Sequence, residues 1–139
     1  MTQEDKELLM QDLCARLKYD VKVLYTNKVF SIDYISCTYE EIKLYNDYDY
    51  YTLNISVVKP YLFPLSSMTK EQLFDVQDIL GKNEIKIEND FIRIVDSDRN
   101  IFSYSEIIAL LEWFYKNHFD INNLIPAGLA IDATNLNIY

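Results

Sequence analysis

Apolar residues recur every three or four positions in three parts of the chain, and each part predicts an amphipathic helix. In each case a serine or threonine comes before the apolar run and an acid or amide follows three residues later, as in a capping box. The first stripe contains Leu9, Leu13 and Leu17, with Met10 and Cys14 beside it. The three predicted capping pairs are Thr2 with Asp5, Thr69 with Gln72, and Ser103 with Glu106.

The third stripe is the most apolar of the three. We expect its helix to be the central packing helix of the domain. His118 falls in the last turn of the predicted helix, where the carbonyl end favours a protonated imidazole, and we interpret it as a capping or packing residue. The stripe consists of Ile107, Leu110, Leu111, Phe114 and His118.

Between the first two helices the apolar period changes to two, which is typical of half-buried strands. Residues 20–37 show two such runs around Asn27 and Lys28, so we predict a hairpin with its turn there. Residues 39–50 predict a short strand or an excursion. Residues 51–57 form the clearest alternating run in the chain. The apolar face of this run is Tyr51, Leu53, Ile55 and Val57.

Two prolines, Pro60 and Pro64, follow this strand. We expect the strand to stop before Pro60, because proline cannot donate a hydrogen bond to a ladder. Each proline also favours extended backbone in the residue before it. We therefore predict that Tyr61, Leu62 and Phe63 pack against the domain as a rigid connector, rather than act as an exposed peptide ligand.

The rest of the chain adds a second hairpin, whose apolar runs flank Asn89 and Asp90. Residues 119–139 contain too many apolar side chains for a free tail, so we expect them to pack back on the domain. The predicted order is α-β-β-β-α-β-β-α. This order favours a single α+β domain over residues 1–139, with an antiparallel sheet of about five strands and three helices packed against it.

The charge of the chain limits its partners. The net charge is −9, from 13 basic and 22 acidic residues, and the basic residues do not cluster. A protein that grips nucleic acid needs a basic patch, so we expect no direct nucleic-acid binding, whereas a basic protein partner would be attracted. We expect no membrane span and a cytoplasmic location, because the start is not a signal peptide and the apolar runs are short. Cys14 and Cys37 are expected to be reduced and partly buried.

Few residues indicate catalysis or metal binding. His118 is the only histidine, which excludes most histidine-dependent sites. Residues 96–100, DSDRN, match the start of a calcium loop, but Ile101 stands where that loop needs glycine and Ile107 stands where it needs glutamate. The two glycines are too far apart for a phosphate-binding loop. We expect no metal and no cofactor.

A cluster of tyrosines and acids in the middle of the chain is the candidate binding site. Tyrosine offers large, rigid contact area at low entropic cost, and acids beside it would select a basic partner. The alternative is that these tyrosines only cover a twisted sheet edge, since tyrosine has high strand propensity. The candidate binding residues are Tyr45, Asp47, Tyr48, Asp49, Tyr50 and Tyr51.

Three stretches together carry a family resemblance: DLCARLKYDVKV at 12–23, VKPYLFPLSSMT at 58–69 and FYKNHFDINNLIPAGLAIDA at 114–133. They resemble uncharacterised small acidic proteins of gut Bacteroides and their phages or mobile elements. The chain departs from that pattern at Lys18 and Asp20, where Pro and Gly are usual, and at Phe63, where Arg is frequent. The resemblance implies a bacterial or phage cytoplasm and an accessory role, and it supplies no catalytic residue.

Three hypotheses for the function follow. The first is a non-enzymatic accessory protein of a phage or mobile element that binds a protein partner through its tyrosine- and aspartate-rich segment. The second is an acidic protein that imitates nucleic acid and inhibits a host defence protein, which predicts contiguous acidic patches. The third is a small enzyme that uses a carboxylate, which needs a pocket around a perturbed carboxylate or His118.

Overall fold

The computed structural model of the protein describes residues 1–81, 85–88, 91–94 and 103–139. Its helices are α1 (Gln3–Arg16), α2 (Lys70–Leu80) and α3 (Tyr104–Lys116). Its strands are β1 (Lys22–Tyr25), β2 (Lys28–Ser36), β3 (Glu41–Tyr45), β4 (Tyr50–Asn54), β5 (Lys59–Leu62), β6 (Ile85–Glu88), β7 (Phe91–Ile94) and β8 (Ile131–Asp132).

The strands form a six-stranded sheet with the order β4-β3-β2-β1-β5-β8 and a separate two-stranded sheet of β6 and β7. All pairs are antiparallel except β5 with β8. The predicted α+β class with three helices is confirmed, although the main sheet has one strand more than expected and β6–β7 stands apart from it. The turn residues Asn89 and Asp90 lie outside the described residues.

The helix starts follow the local sequence closely. All three predicted capping boxes are present, with the threonine or serine side chain accepting from the third helical N–H and the third side chain accepting from the cap. At α2 the Thr69 Oγ1 accepts from Gln72 N at 3.2 Å, and Thr69 N donates to Gln72 Oε1 at 2.9 Å. Gly81 ends α2 in the left-handed conformation, with a φ of 58°.

The first hairpin forms where the alternation predicted it, but its turn lies one residue earlier. Thr26 and Asn27 are the two central residues, and both have positive φ values, 48° and 62°. Tyr25 pairs with Lys28 across them. This is the backbone of a type I′ turn, which matches the twist of the flanking strands. The predicted turn at Asn27 and Lys28 is therefore wrong by one position.

The strand predicted over residues 51–57 is shorter than its sequence suggested. β4 ends at Asn54, whose side chain accepts from Ser56 N at 3.0 Å and starts a single helical turn. Val57 is consequently exposed rather than on the apolar face. The chain then enters β5, in which Pro60 pairs with Val23 of β1. The predicted strand therefore does stop before Pro60, but Pro60 itself lies in the next strand, which is possible because proline can occupy a strand position where its nitrogen makes no ladder bond.

The connector around the prolines packs against the domain, as predicted. Tyr61 and Leu62 are buried, and Phe63 is half-buried against Phe119. The segment after α3 also packs back, since Leu124 belongs to the main core and β8 pairs with β5.

The main core lies between α1 and the inner face of the sheet. The buried stripe of α1 is Leu9, Asp12, Leu13 and Arg16, so it is rotated by about one residue from the predicted one. Asp12 and Arg16 form a fully buried ion pair, with Arg16 Nε donating to Asp12 Oδ2 at 2.6 Å. Cys14 is exposed as a result.

A smaller cluster joins α2 and α3, and it corrects the role predicted for α3. Phe114 is buried there with Val76 and Leu80, while Leu110 is half-buried. Ile107 and Ile108 in the first half of the helix are exposed, and so is Leu111 just past its midpoint. α3 is therefore a flanking helix that packs with its second half, not the central packing helix. The main core is built on α1 instead.

Candidate protein interface on the tyrosine-rich sheet face

The outer face of the β3–β4 hairpin carries two tyrosines side by side. Tyr45, the last residue of β3, is the cross-strand partner of Tyr50, the first residue of β4. Both side chains are exposed, at 42% and 55%. Side chains alternate along a strand, so Lys43 and Thr52 lie on this same outer face and pair with each other one step further along.

A β-bulge in β2 brings a third tyrosine and an aspartate to this face. The β2–β3 register shifts between Ile32 and Tyr34, and Tyr34 pairs with Lys43. The extra residue, Asp33, is exposed together with Tyr34. A bulge lets two neighbouring residues point toward the same side, which strict alternation would forbid.

Polar contacts hold the Tyr50 ring in place. Lys43 Nζ lies 4.7 Å from the ring centroid, and the Tyr50 hydroxyl donates to Asp33 Oδ2. The interaction with Tyr50 raises the pKa of Lys43, and the ammonium is attracted to the negative face of the ring. We name this surface the tyrosine face, defined as Tyr34, Tyr45 and Tyr50 with Lys43 and Asp33.

The turn beside the tyrosine face presents a further tyrosine. Asn46 Oδ1 accepts from Tyr48 N at 2.9 Å and from Asp49 N at 2.7 Å, which fixes the turn backbone. Asp49 also accepts from Lys28 Nζ at 2.9 Å, and this contact raises the pKa of the lysine. Tyr48 is 93% exposed at the tip of this ordered turn, and Asp47 beside it is exposed.

Tyr51, the sixth candidate residue, lies on the opposite side of the sheet. Its ring makes edge contacts with Tyr25 and Phe30, at centroid distances of 5.5 and 5.7 Å. It is half-buried against the main core. Tyr51 therefore packs the sheet and is not part of the tyrosine face.

The six candidate residues therefore lie in different places, and three residues outside that set belong to the same surface. Tyr45 and Tyr50 belong to the tyrosine face, while Asp47, Tyr48 and Asp49 belong to the turn. The strand alternation could have separated Tyr51 from Tyr50, since neighbours in a strand face opposite sides. The residues that the sequence prediction missed are Asp33, Tyr34 and Lys43.

Within the part of the chain that the structure describes, β4 is also an edge strand of the six-stranded sheet, with β3 as its one neighbour. Ile55 N donates to Glu40 O at 2.8 Å, so Ile55 and Glu40 are a hydrogen-bonded pair that continues the β3–β4 ladder. Residue pairs along an antiparallel ladder are alternately hydrogen-bonded and not hydrogen-bonded. Counting from Ile55, the backbone N–H and C=O groups of Tyr51 and Leu53 therefore point toward β3. The N–H and C=O groups of Tyr50, Thr52 and Asn54 accordingly point away from the sheet along its free edge.

The carboxylates best placed for chemistry have structural roles. A cavity of about 200 Å³ is lined by Asp120 and Asp132, among others. Asp120 accepts from the backbone N–H groups of Leu124 and Ile125, at 2.9 and 2.8 Å, and Asp132 accepts from Thr134. Both carboxylates thus fix the loops that carry them.

No protein-family model, curated protein or solved structure matches this chain. Among the helices in the described part of the chain, none has the length and apolar character needed to span a bilayer. The described residues also contain no group of three or more His, Cys, Asp or Glu side chains arranged to bind a metal ion. The calcium-loop-like stretch at 96–100 lies outside the described residues.

Proposed function

We propose that this protein is a non-enzymatic accessory protein that binds a protein partner through the tyrosine face and the adjoining turn. The observation that carries the proposal is the grouping of three exposed tyrosines on one sheet face, with Tyr48 beside them at 93% exposure. The resemblance to small proteins of Bacteroides phages and mobile elements supports a setting in the cytoplasm of a bacterial host.

The rigidity of the surface favours binding. Lys43 and Asp33 hold the Tyr50 ring, and Asn46 fixes the turn below Tyr48. Tyrosines that are already ordered lose little entropy on binding, and tyrosine is enriched among the residues that dominate binding energy. A tyrosine that only covered a sheet edge would need neither the turn geometry nor near-complete exposure.

The partner that fits this surface is a basic, extended protein segment. The free edge of β4 offers the backbone groups of Tyr50, Thr52 and Asn54 for strand addition. Glu41 and Asp47 are exposed near that edge, whereas the charge of Lys28 is paired with Asp49 and the charge of Lys43 is balanced by nearby Asp33. The remaining charge at the surface is negative, which attracts lysines and arginines of a partner.

The second hypothesis, an inhibitor that imitates nucleic acid, has less support. It predicts contiguous acidic patches, but several exposed or half-buried acids are paired with lysines in different parts of the molecule. The pairs are Lys6–Glu40, Lys18–Glu112, Lys22–Asp20 and Lys28–Asp49, at 2.6 to 3.2 Å. The third hypothesis, an enzyme, also has less support, since Asp120 and Asp132 already bind backbone groups and His118 is packed.

The proposal is tested by replacing the exposed tyrosines and measuring partner binding. The tagged protein is expressed in the bacterial host, its partner is captured and identified by mass spectrometry, and the purified partner is titrated to obtain a Kd. We expect the triple variant Tyr45→Ala, Tyr48→Ala and Tyr50→Ala to bind at least ~10-fold more weakly, because truncated hot-spot tyrosines typically cost that much or more.

A matched control uses exposed tyrosines outside the surface. Tyr39 is 71% exposed at the other end of β3, and Tyr104 is 87% exposed at the start of α3. The double variant Tyr39→Ala and Tyr104→Ala removes comparable exposed rings and should leave the Kd within about twofold, because these rings lie outside the proposed contact surface. Wild-type affinity in the triple variant would remove the tyrosine face from the binding site.

A further inference from the structure

The two cysteines of the chain lie next to each other on the surface. Cys14 Sγ and Cys37 Sγ are 3.9 Å apart, although 23 positions separate them in the sequence. Both are free thiols and both are exposed, so the expectation of partly buried thiols is wrong. The reason is the rotated stripe of α1, which buries Asp12 and Leu13 and turns Cys14 outward.

Contacts that do not involve sulfur keep the two thiols together. Cys37 begins the turn between β2 and β3, and Glu40 belongs to the same turn. Glu40 accepts hydrogen bonds from Gln3 Nε2 and Lys6 Nζ of α1, both at 2.9 Å. The helix is therefore attached to this turn at a second point, and the proximity of the thiols is a property of the fold.

We propose that Cys14 and Cys37 are a modification site at which a small-molecule disulfide, such as oxidised glutathione, introduces a reversible intramolecular disulfide. The sulfur atoms must approach from 3.9 Å to ~2.05 Å, which requires side-chain rotation rather than refolding. Cys14 lines an open groove of about 630 Å³ with Lys18, Tyr19 and Tyr115, so its side chain has room to turn.

The reaction is a pair of thiol–disulfide exchanges. One protein thiolate attacks a sulfur of oxidised glutathione, forming a mixed disulfide and releasing one glutathione thiolate. The second protein thiolate attacks the protein sulfur of the mixed disulfide, forming the Cys14–Cys37 bond and releasing the second glutathione. Two protein thiols are oxidised and one glutathione disulfide is reduced to two thiols, with the two protons released to water or to the leaving thiolates.

The two cysteines have different roles in this reaction. Desolvation and the contact with Cys37 raise the pKa of Cys14 to about 11, so little of it is thiolate at neutral pH. The first attack is therefore assigned to Cys37 at the exposed turn. Cys14 then resolves the mixed disulfide, helped by its position 3.9 Å away.

The disulfide would join α1 to the β2–β3 turn without touching the proposed interface. That turn precedes Glu41, whereas Tyr45 lies at the opposite end of β3. Closing this loop restricts the unfolded chain, which stabilises the folded state. We expect oxidation to raise Tm by at least ~5 °C and to leave partner affinity unchanged.

The test is incubation of the full chain with oxidised glutathione, followed by intact mass measurement and tryptic mapping. We expect the loss of two hydrogen atoms and a crosslink between the peptides ELLMQDLCAR and VFSIDYISCTYEEIK, both reversed by a reducing agent. Cys14→Ser should accumulate the glutathione adduct on Cys37, and Cys37→Ser should react more slowly. The raised Tm should vanish in both variants.

Several outcomes would overturn the inference. One is a stable glutathione adduct on the wild-type chain with no internal crosslink. Another is a disulfide that forms only between two molecules and disappears on dilution. A wild-type Tm that stays the same after complete oxidation would show that the bond strains the fold instead of stabilising it. Because binding is not the readout, failure here leaves the proposed function untouched.

Discussion

The imidazole of His118 lies face to face with the phenol ring of Tyr139, with centroids 3.9 Å apart and planes 10° apart. His118 follows α3 in the left-handed conformation, with a φ of 59°, and is only 8% exposed. Burial lowers its pKa to about 4, and the charge of Arg16 contributes in the same direction. The expectation of a protonated imidazole is therefore wrong, because desolvation and Arg16 outweigh the helix end.

The burial of a neutral His118 predicts that the folded protein loses stability in mild acid. The folded-state pKa of His118, about 4, lies below the unfolded value near ~6.5, so unfolding takes up a proton between these values. The contribution of neutral His118 to the free energy of unfolding is complete above pH ~6.5 and is lost as the pH falls toward 4. The free energy of unfolding then decreases by up to ~1.4 kcal/mol per pH unit. Urea unfolding at intervals between pH 7 and pH 5 measures it.

The control for this measurement is His118→Asn, which does not titrate and tolerates the left-handed backbone. The variant is expected to be less stable at pH 7, because it loses the stacked ring, but to show a flatter pH dependence. Subtracting one curve of unfolding free energy against pH from the other removes the contribution of the carboxylates, which both proteins share. Equal slopes for the two proteins would contradict the assignment to His118.

The hydroxyl of Tyr139 predicts a second effect. It donates to Tyr61 O at 2.7 Å and accepts from Lys22 N at 3.2 Å, and desolvation on its packed side raises the pKa of Tyr139 to about 12, although the residue as a whole is 44% exposed. Tyr139→Phe keeps the ring but leaves both backbone groups without this partner. We expect a loss of ~1–2 kcal/mol in the free energy of unfolding. Tyr48→Phe, at the exposed turn tip, should change it by less than ~0.5 kcal/mol.

The buried pair of Asp12 and Arg16 predicts strong coupling. Arg16 Nη2 donates to Asp12 Oδ1 at 2.9 Å and to Phe119 O at 2.7 Å, and Asn122 Nδ2 donates to the same Asp12 oxygen at 2.8 Å. Arg16→Met leaves a buried carboxylate without its counter-ion and should cost ~3–5 kcal/mol. Asp12→Leu should cost a similar amount.

The double variant Asp12→Leu with Arg16→Met removes both charges at once. Its loss of stability should be smaller than the sum of the two single losses, because neither partner remains buried alone. A double-mutant cycle by urea unfolding measures the difference. Additive losses would show that the two side chains stabilise the fold independently of each other.

The free edge of β4 predicts opposite outcomes for two neighbouring proline substitutions. Thr52→Pro removes an N–H that points away from β3, so the fold should be retained with a loss below about 2 kcal/mol while partner binding falls ~10-fold or more. Leu53→Pro removes a ladder bond to Ile42 and should cost ~3 kcal/mol or more. Circular dichroism, urea unfolding and titration of the partner separate the two effects.

The features that the sequence predicted well depend on neighbouring residues. A capping box needs only two side chains three positions apart, and all three boxes form where the pattern indicated. The hairpin of β1 and β2 and the packing of Leu62 also follow from local alternation and chain direction. For the candidate site, alternation alone could have placed Tyr50 outside and Tyr51 inside.

The features that the sequence did not predict depend on distant partners. The bulge at Asp33 sets which residues face Lys43, and a one-residue shift in register reverses every side chain beyond it. The contact of Cys14 with Cys37 follows from how α1 is rotated on the sheet. The buried Asp12 and Arg16 did leave a signal, since their four-residue spacing continues the stripe of Leu9 and Leu13.

The position of β5 between β1 and β8 bears on how quickly the protein folds. Pro60 pairs back to Val23, while Tyr61 pairs forward to Ile131, so one short strand joins two distant parts of the chain. Closing such long loops costs entropy before the contacts repay it, and a high share of distant contacts slows folding. The β1–β2 hairpin and the capped helices can form early, because their contacts are local. Docking of β5 between its two neighbours then becomes the slow step. Substitutions in residues 59–62 should therefore change the folding rate most.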